Sequence, residues 1–440
     1  MLVPSPQLIR LTAAVLLPAA AVGGIVPGTA GIALGLVIVV ALFVLWDAFS
    51  GFRQLDDLEV SMPEVLRLTQ GRRGCIPVRL SGHAPRPRTL LAALGLPESL
   101  DSDVPVVTVP MPARTERLEI AWPVTALRRG RDSISSIQFE TASPHRLWGV
   151  RRRLSVHTEV RIYPNLFQDR RSTASVFLNR SGPGAHVQRQ VGQGREFEKL
   201  RDYAHQDSVS DIHWKATAKR GRPVTKVFQI ERTQEVYVIL DASRLSGRLT
   251  DGEPEFECSL RSALLLAAAA DRQGDLFGTV AFDSRVRCFV RSGRGRAHVA
   301  ACREALFALQ PQPASPDFGE LCTTLRLRLR RRALLVFLTS LDDPVLAEEF
   351  LRGIGLLSRQ HLVLAIQPRP AAAQPLFASA DVATTGDVYA RLGGHVRWQK
   401  LRLLEQQLRQ RNVRFTLANP GTLAATVLQQ YLEVRQRQLL

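Results

Sequence analysis

The chain has 440 residues, of which 45% are hydrophobic and 22% charged. That length allows two to three domains, and the apolar fraction excludes disorder as the main state. Its 58 Lys and Arg against 40 Asp and Glu leave +18; this excludes an acidic solvating protein and leaves nucleic acid, an anionic membrane surface or an acidic protein open as partners. Lysine is scarce, so nearly all the positive charge is arginine. Arginine favours planar, bidentate contacts to carboxylate or phosphate, although a genome-wide composition bias produces the same preference. The five cysteines, Cys75, Cys258, Cys288, Cys302 and Cys322, are odd in number and form no CxxC. A disulfide framework or a zinc ribbon is therefore disfavoured, and a reducing compartment fits better.

The first segment, 1–54, reads as a membrane hairpin. Residues 11–26 and 29–46 carry no charge, and Pro27-Gly28 lies between them. With Leu8 and Ile9 added, each stretch is long enough to cross a bilayer as a helix, over about 8–27 and 29–46. Trp46 falls where an interfacial aromatic is expected. Arg10 precedes the first uncharged stretch and Arg53 follows the second, so both flanks share one side, and the positive-inside tendency makes that side cytoplasmic. Two other readings compete: a signal peptide cleaved near Ala19-Ala20-Ala21, and a hairpin buried in a core.

Residues 55–165 change pattern. Short apolar or alternating runs at 75–80, 104–109, 117–121, 134–139 and 160–163 are separated by turn residues, the pattern of a small antiparallel sandwich. His83, His145 and His157 are isolated and read as surface or satisfied histidines. Residues 166–234 hold a polar linker, 168–190, and then a distinctive segment. From 235 to 440, apolar strands at 236–240, 276–282, 333–339, 361–367 and 413–417 alternate with helical patterns at 256–272, 297–309, 345–358 and 423–438. This order argues for a doubly wound α/β domain with a mainly parallel sheet. The run 325–330 has period two but sits where a helix should precede the next strand; the helix is the favoured reading, with Arg330, Arg331 and Arg332 in its last turn.

Ligands of such sheets bind beyond the carboxyl ends of the strands. There, Asp241 and Ser243 sit two residues apart, with Ser246 following. Later loops supply Ser315 and Asp317, then Thr339, Ser340, Asp342 and Asp343. Hard divalent ions take oxygen donors of this kind. The domain resembles a von Willebrand factor A-like domain, whose adhesion site uses DxSxS, a Thr on a second loop and an Asp on a third. The match is incomplete: position 245 is Leu, and no second-loop Thr has a clear counterpart. The resemblance implies a degenerate site of Asp241, Ser243, Ser246, Asp317 and Asp342, holding Mg2+ or another divalent cation if it holds one. Asp283 reads as a turn residue.

The most specific segment precedes that domain. Glu196, Phe197, Leu200, Arg201 and Tyr203, then Asp207, then Ile212, Trp214, Ala218 and Lys219 resemble the signature of the bacterial domain of unknown function fifty-eight, with Gln206 where that family usually has Gly. Physically it reads as a charged and aromatic latch, Glu196, Arg201, Asp207 and Lys219 forming ion pairs above Phe197, Tyr203 and Trp214. The resemblance implies an inner-membrane protein with two spans and a cytoplasmic soluble part, working with a MoxR-type AAA+ ATPase on an unknown client. No GxxxxGK[ST] occurs, so ATP chemistry would belong to the partner. No G-x-S-x-G, HExxH or supported Cys/His pairing argues for a hydrolase, and no recognised module argues for nucleic-acid binding. The expectation is therefore a non-enzymatic interaction or scaffold protein.

Overall fold

The computed structural model describes residues 1–25, 28–52, 54–82, 88–112, 117–166, 191–204, 209, 212–229, 234–250, 252–370, 373–376 and 384–437. Pro27, Arg53, His83, the 168–190 linker, Gln206 and Asp207 lie outside the described residues. The chain divides into two compact units, Met1–Asn165 and Leu166–Leu440.

The first unit opens with β1 (Leu2–Pro4), α1 (Pro6–Ile25) and α2 (Ala30–Phe52). Both helices are long and apolar enough to cross a membrane, with mean hydropathies of 1.9 and 2.6. Only 11% and 6% of those stretches are buried by protein, so neither helix is the core of a soluble shell. Gly28 has φ +93, a turn conformation open to glycine at little cost.

Nine strands follow: β2 (Glu59–Ser61), β3 (Val65–Thr69), β4 (Arg73–Ser81), β5 (Arg88–Leu94), β6 (Leu100–Asp101), β7 (Val106–Met111), β8 (Arg117–Ala126), β9 (Gly130–Ala142) and β10 (Trp148–Tyr163). One sheet runs β1-β10-β9-β5-β7, with β3 also on β10; the other runs β2-β4-β8-β6. Alternation along the strands turns Ile76, Val78, Trp122 and Val124 of one sheet, and Leu90, Ile137, Phe139 and Val160 of the other, into one buried core. This is the expected sandwich, with one parallel pair, β3 on β10.

β1 pairs antiparallel with β10, Leu2 opposite Val150 and Pro4 opposite Trp148. Ser5 adds two bonds, its N–H to Leu147 O at 3.0 Å and its Oγ to Arg146 O at 2.7 Å. The chain thus leaves the sandwich into α1 and returns to it from α2. Both ends of the hairpin lie on one side, and a cleavage near Ala21 would remove a strand of the sandwich. α2 runs past Trp46, and its last turns are bolted to the same sheet. Asp47, fully buried, accepts from Ser143 Oγ at 2.5 Å, from His145 N at 3.0 Å and bonds His145 Nδ1 at 3.0 Å. Trp148 Nε1 donates to Val44 O at 3.1 Å.

The second unit begins with an antiparallel ribbon, β11 (Val191–Asp202) and β12 (Val224–Gln229), which flank the short helix α3 (Trp214–Arg220). Then come β13 (Glu235–Asp241), β14 (Leu249–Thr250), β15 (Glu253–Pro254), α4 (Glu255–Arg272), β16 (Leu276–Phe282), β17 (Val286–Gly293), α5 (Arg296–Leu306), α6 (Phe318–Arg328), β18 (Leu334–Leu338), α7 (Pro344–Leu357), β19 (Leu362–Pro368), α8 (Thr385–Gln410), β20 (Val413–Ala418) and α9 (Leu423–Gln436). The six-stranded sheet runs β17-β16-β13-β18-β19-β20. All neighbours are parallel except β17, an antiparallel edge. Both faces are covered: Val236, Val238 and Leu240 pack with α4 and α9, whereas Tyr237 and Ile239 pack with α6 and α7. Strands buried on both sides read as unbroken apolar runs, which is why β13, β18 and β19 stand out in the sequence.

Three elements depart from the expected pattern. β17 reads as polar because it is an edge. α8 is long but mostly exposed over its first half, so its apolar stripe is weak. The 325–330 run resolves as helix to Arg328, after which Leu329 turns extended at φ −94 ψ 103.

Candidate functional site

β13 is the first strand of the sheet. The chain goes next to β16 on one side and later to β18 on the other. The strand order therefore reverses at β13, and the crevice at the carboxyl ends of β13 and β18 is the switch point where open α/β sheets take ligands. Asp241 ends β13, and Thr339 and Ser340 follow β18.

Asp241 is 1% exposed. Its Oδ1 accepts from Ser243 N at 2.8 Å and its Oδ2 from Thr339 Oγ1 at 2.6 Å. Burial pushes its carboxyl above the usual carboxylate range; the Thr339 and Ser243 bonds oppose this, and the nearby Asp283 adds to it. Ser243 Oγ accepts from Leu245 N at 3.3 Å, and Ser246 Oγ donates to Ser243 O at 2.8 Å. These bonds fold the loop back on itself, as short polar side chains do at turns.

A second carboxylate stands beside the first. Glu255, in the first turn of α4, accepts from Ser340 Oγ at 2.8 Å and from Thr250 Oγ1 at 3.0 Å. Burial raises its pKa as well, against those two bonds. At the rim, Arg248 Nη1 meets Asp342 Oδ2 at 2.7 Å, and Gln367 Nε2 donates to Asp342 Oδ1 at 3.1 Å. Gln367 Oε1 in turn accepts from Leu341 N at 2.9 Å, so this loop is held at both ends.

The structure thus brings Asp241, Ser243 and Ser246 together on one loop, while the other two expected ligands have bonds of their own. Asp317 caps α6, its Oδ1 accepting from Glu320 N at 2.8 Å, and Asp342 is engaged by Arg248 and Gln367. Among the described residues, no three His, Cys, Asp or Glu side chains converge as metal ligands. The carboxylates here, Asp241, Glu255 and Asp342, are already engaged by Thr339 and Ser243, by Ser340 and Thr250, and by Arg248 and Gln367, which does not fit a hard divalent cation taking six or more oxygen donors. Asp283, expected as a turn residue, is that: it accepts from Arg285 N at 3.1 Å and pairs with Arg287.

Arg248, Glu255 and Gln367 were not expected at the site, and Thr339 was named among the strand-end donors but left out of the ligand set. Thr339 carries a signal, since it directly follows an apolar strand; Glu255 and Arg248 look in sequence like an ordinary helix start and loop cation. Beside Asp342 opens a groove of about 670 Å3 between α7 and α8, lined by Leu351, Leu401 and Leu404 and also by Glu348, Arg352 and Lys400.

The signature segment forms the ribbon and α3. Of its residues, Arg201 and Leu200 pair with Thr225 and Lys226 across the ribbon, and Tyr203 N bonds Pro223 O at 3.0 Å. Only the backbone of Glu196 and Phe197 is described. The expected latch does not close over Trp214. That indole is 67% exposed, and Lys219 is on the surface. The reason is local: His213 and Thr217, not Trp214, face the ribbon.

Residues 199–381 match the model of the family described as protein of unknown function DUF58. Over this segment the chain is similar to that family. The DUF58 segment takes in Leu200, Arg201, Tyr203, Trp214 and Lys219 of the signature, and Asp241 to Asp342 of the strand-end site. No curated protein matches the chain. Among solved structures, the SpRpn10 VWA domain is similar at 9% identity, over 45% of this chain and 95% of that one, with a TM-score of 0.29. An aerotolerance-related membrane protein from Bacteroides fragilis NCTC 9343, carrying multiple mutations to serines, is similar at 15% identity, over 46% of this chain and 99% of that one, with a TM-score of 0.31. PapD-like domain 7 of human CEP192 is similar at 9% identity, over 25% of this chain and 87% of that one, with a TM-score of 0.19.

Proposed function

We propose that this is a membrane-anchored recruiting protein with no catalytic chemistry of its own. Its A-type domain presents the switch-point face to a protein partner, and α1 and α2 hold it in the inner membrane with the sandwich and the A-type domain on the cytoplasmic side. One observation carries the reading. The hydroxyls of Thr339 and Ser340 are bonded to Asp241 and Glu255, and both residues are 4% exposed, so neither nucleophile is offered to a substrate. What the face does offer is a half-exposed Arg248, whose side chain is 48% exposed, beside a groove that mixes leucines with charged side chains. A cation at the rim of a groove that carries Arg352, Lys400 and Arg411 among its leucines suits a partner segment with carboxylates around an apolar anchor.

The family resemblance supports a MoxR-type AAA+ ATPase as that partner, acting on a client. Recruitment is then direct, through Arg248 and the groove, rather than through a bridging metal. The test is co-purification of the full chain with a co-expressed MoxR-type ATPase from solubilised membranes. Wild type retains the ATPase, and Arg248→Glu loses most of it while folding normally, since a rim ion pair is worth no more than about 1 kcal/mol to stability. Absence of the ATPase from the wild-type sample overturns the partnership; equal retention by Arg248→Glu overturns the face.

A further inference from the structure

The chain holds five lysines in all: Lys199, Lys215, Lys219, Lys226 and Lys400. Four of them fall within the 28 positions from 199 to 226, on the ribbon and α3. The rest of the chain has a single lysine, Lys400, whereas this module places four lysines beside Arg201, Arg220 and Arg222. The two cations are not equivalent. Arginine binds through a rigid planar fork, whereas lysine is a compact, strongly hydrated charge on a flexible stem.

The architecture decides where these side chains point. His213 N donates to Val224 O at 2.8 Å, and Thr217 Oγ1 accepts from Val224 N at 3.0 Å. His213 also caps α3, its Nδ1 accepting from Ala216 N at 3.1 Å. Residues 213 and 217 are four apart and so share one face of the helix, which is tied to β12. The opposite face is then Trp214, Lys215, Ala218 and Lys219, and all four are exposed. Arg220 and Arg222 extend the positive charge beyond the helix. Among residues 200–204, 209 and 212–225, only Asp202 is acidic, and it is paired with Arg222 at 3.2 Å. Lys215, Lys219 and Arg220 have no ionic partner among the described residues.

We propose that this face docks an acidic protein surface, with the Trp214 indole as the anchor and Lys215 and Lys219 meeting carboxylates around it. Solvent-exposed tryptophan is the side chain most enriched among residues that dominate binding energy. Flanking charges of one sign select a partner of the other sign and speed the encounter. Lysine fits carboxylates met singly, without bidentate geometry. A lipid surface is the poorer occupant, because interfacial helices bury a broad apolar face, and here Ala218 is the indole's only neighbour along its row. This surface is separate from the switch-point face and does not depend on which partner binds there.

The experiment uses the full chain in nanodiscs of zwitterionic lipid, with a fluorescein-labelled peptide of alternating glutamate and leucine as the probe and anisotropy as the readout. Wild type binds it. Trp214→Ala weakens binding about tenfold, which is roughly 1.4 kcal/mol. Lys215→Glu with Lys219→Glu abolishes binding, and affinity falls as salt rises. Trp214 is exposed, so its replacement leaves the thermal transition in place; the lysine pair gives a second variant with the same safeguard. No binding by wild type, or unchanged binding by both variants, overturns the proposal. Retention on phosphatidylglycerol vesicles with the same dependence on Trp214 and the lysines, and no peptide binding, also overturns it, in favour of a lipid surface. Because Arg248→Glu leaves peptide binding intact, failure here and failure of the ATPase reading are told apart.

Discussion

Two carboxylates, Asp47 in the first unit and Asp241 in the second, are both buried where an apolar element ends, and they are treated in opposite ways. Asp47 receives a serine hydroxyl, a backbone N–H and a histidine ring, and the residues that supply them, Ser143 and His145, belong to the β9–β10 turn region. Asp241 receives one backbone N–H and one threonine hydroxyl, with the carboxylate of Asp283 close enough to repel it. A buried polar network specifies structure when it is satisfied and becomes costly when it is not. The first carboxylate is therefore a lock that fixes the last turns of α2 to the sandwich. The second is held against its preference, at the strand-end crevice where a partner is expected.

Breaking the lock gives the largest effect. Asp47→Ala strands the buried Ser143 hydroxyl, and a buried group left unpaired costs roughly 1–3 kcal/mol, whereas the exposed His145 is taken up by water. The first unit should lose about 2 kcal/mol, seen as a lower thermal midpoint and faster amide exchange over residues 143–150. Asp47→Asn keeps an acceptor and should lose less. An alanine variant as stable as wild type would erase the contrast between the two sites.

Asp241→Asn should act in the other direction. Burial raises this carboxyl above its ordinary value of 3.8, so the fold prefers the protonated form. Its contribution is full below that ordinary value and is lost as pH rises through the folded one. At neutral pH the amide removes the buried charge and keeps an acceptor for Ser243 N, so the variant should equal or exceed wild type, by up to about 1 kcal/mol, in urea unfolding at pH 7. Millimolar Mg2+ should move neither midpoint. A midpoint raised by Mg2+ in wild type and not in Asp241→Asn would establish the cation site that the geometry argues against.

The contrast also explains what was legible in the sequence. Uncharged runs of bilayer length and strands buried on both faces are long-range patterns, and they announced α1, α2, β13, β16, β18 and β19. Asp241 and Ser243 were legible because a short polar pair directly follows such a strand. Asp342 was found but its partner Arg248 was not, because Arg248 lies 94 positions earlier and nothing local marks it. Glu255 was hidden in the same way, its partner Ser340 being 85 positions away. The Asp47 lock was invisible for a different reason: one acid near the end of an apolar run looks like the edge of a membrane span. The exposed Trp214 was misplaced because a sequence shows that an aromatic is present and not which side of a short helix is tied down.

His361 completes the series with a buried ring that has no hydrogen-bond partner among the described residues. It is 3% exposed, and neither ring nitrogen has a hydrogen bond among the described residues. Burial lowers its pKa below the ordinary 6.5, so the fold requires the neutral ring. The sign is then fixed. Above 6.5 the ring is neutral in both folded and unfolded chains, and nothing is lost. As pH falls through 6.5 toward the folded value, the unfolded chain takes up a proton that the folded one refuses, and stability declines. Asp241, Glu255 and Asp275, all raised by burial, push the opposite way over the acid range, so the His361 contribution has to be read as a difference. His361→Leu keeps an apolar filling of similar size and removes the titrating ring. Its unfolding free energy should fall less than that of wild type between pH 7 and pH 5, by a fraction of the Asp47→Ala loss. Parallel pH profiles for the two proteins would show that this ring finds a proton acceptor in the folded chain after all.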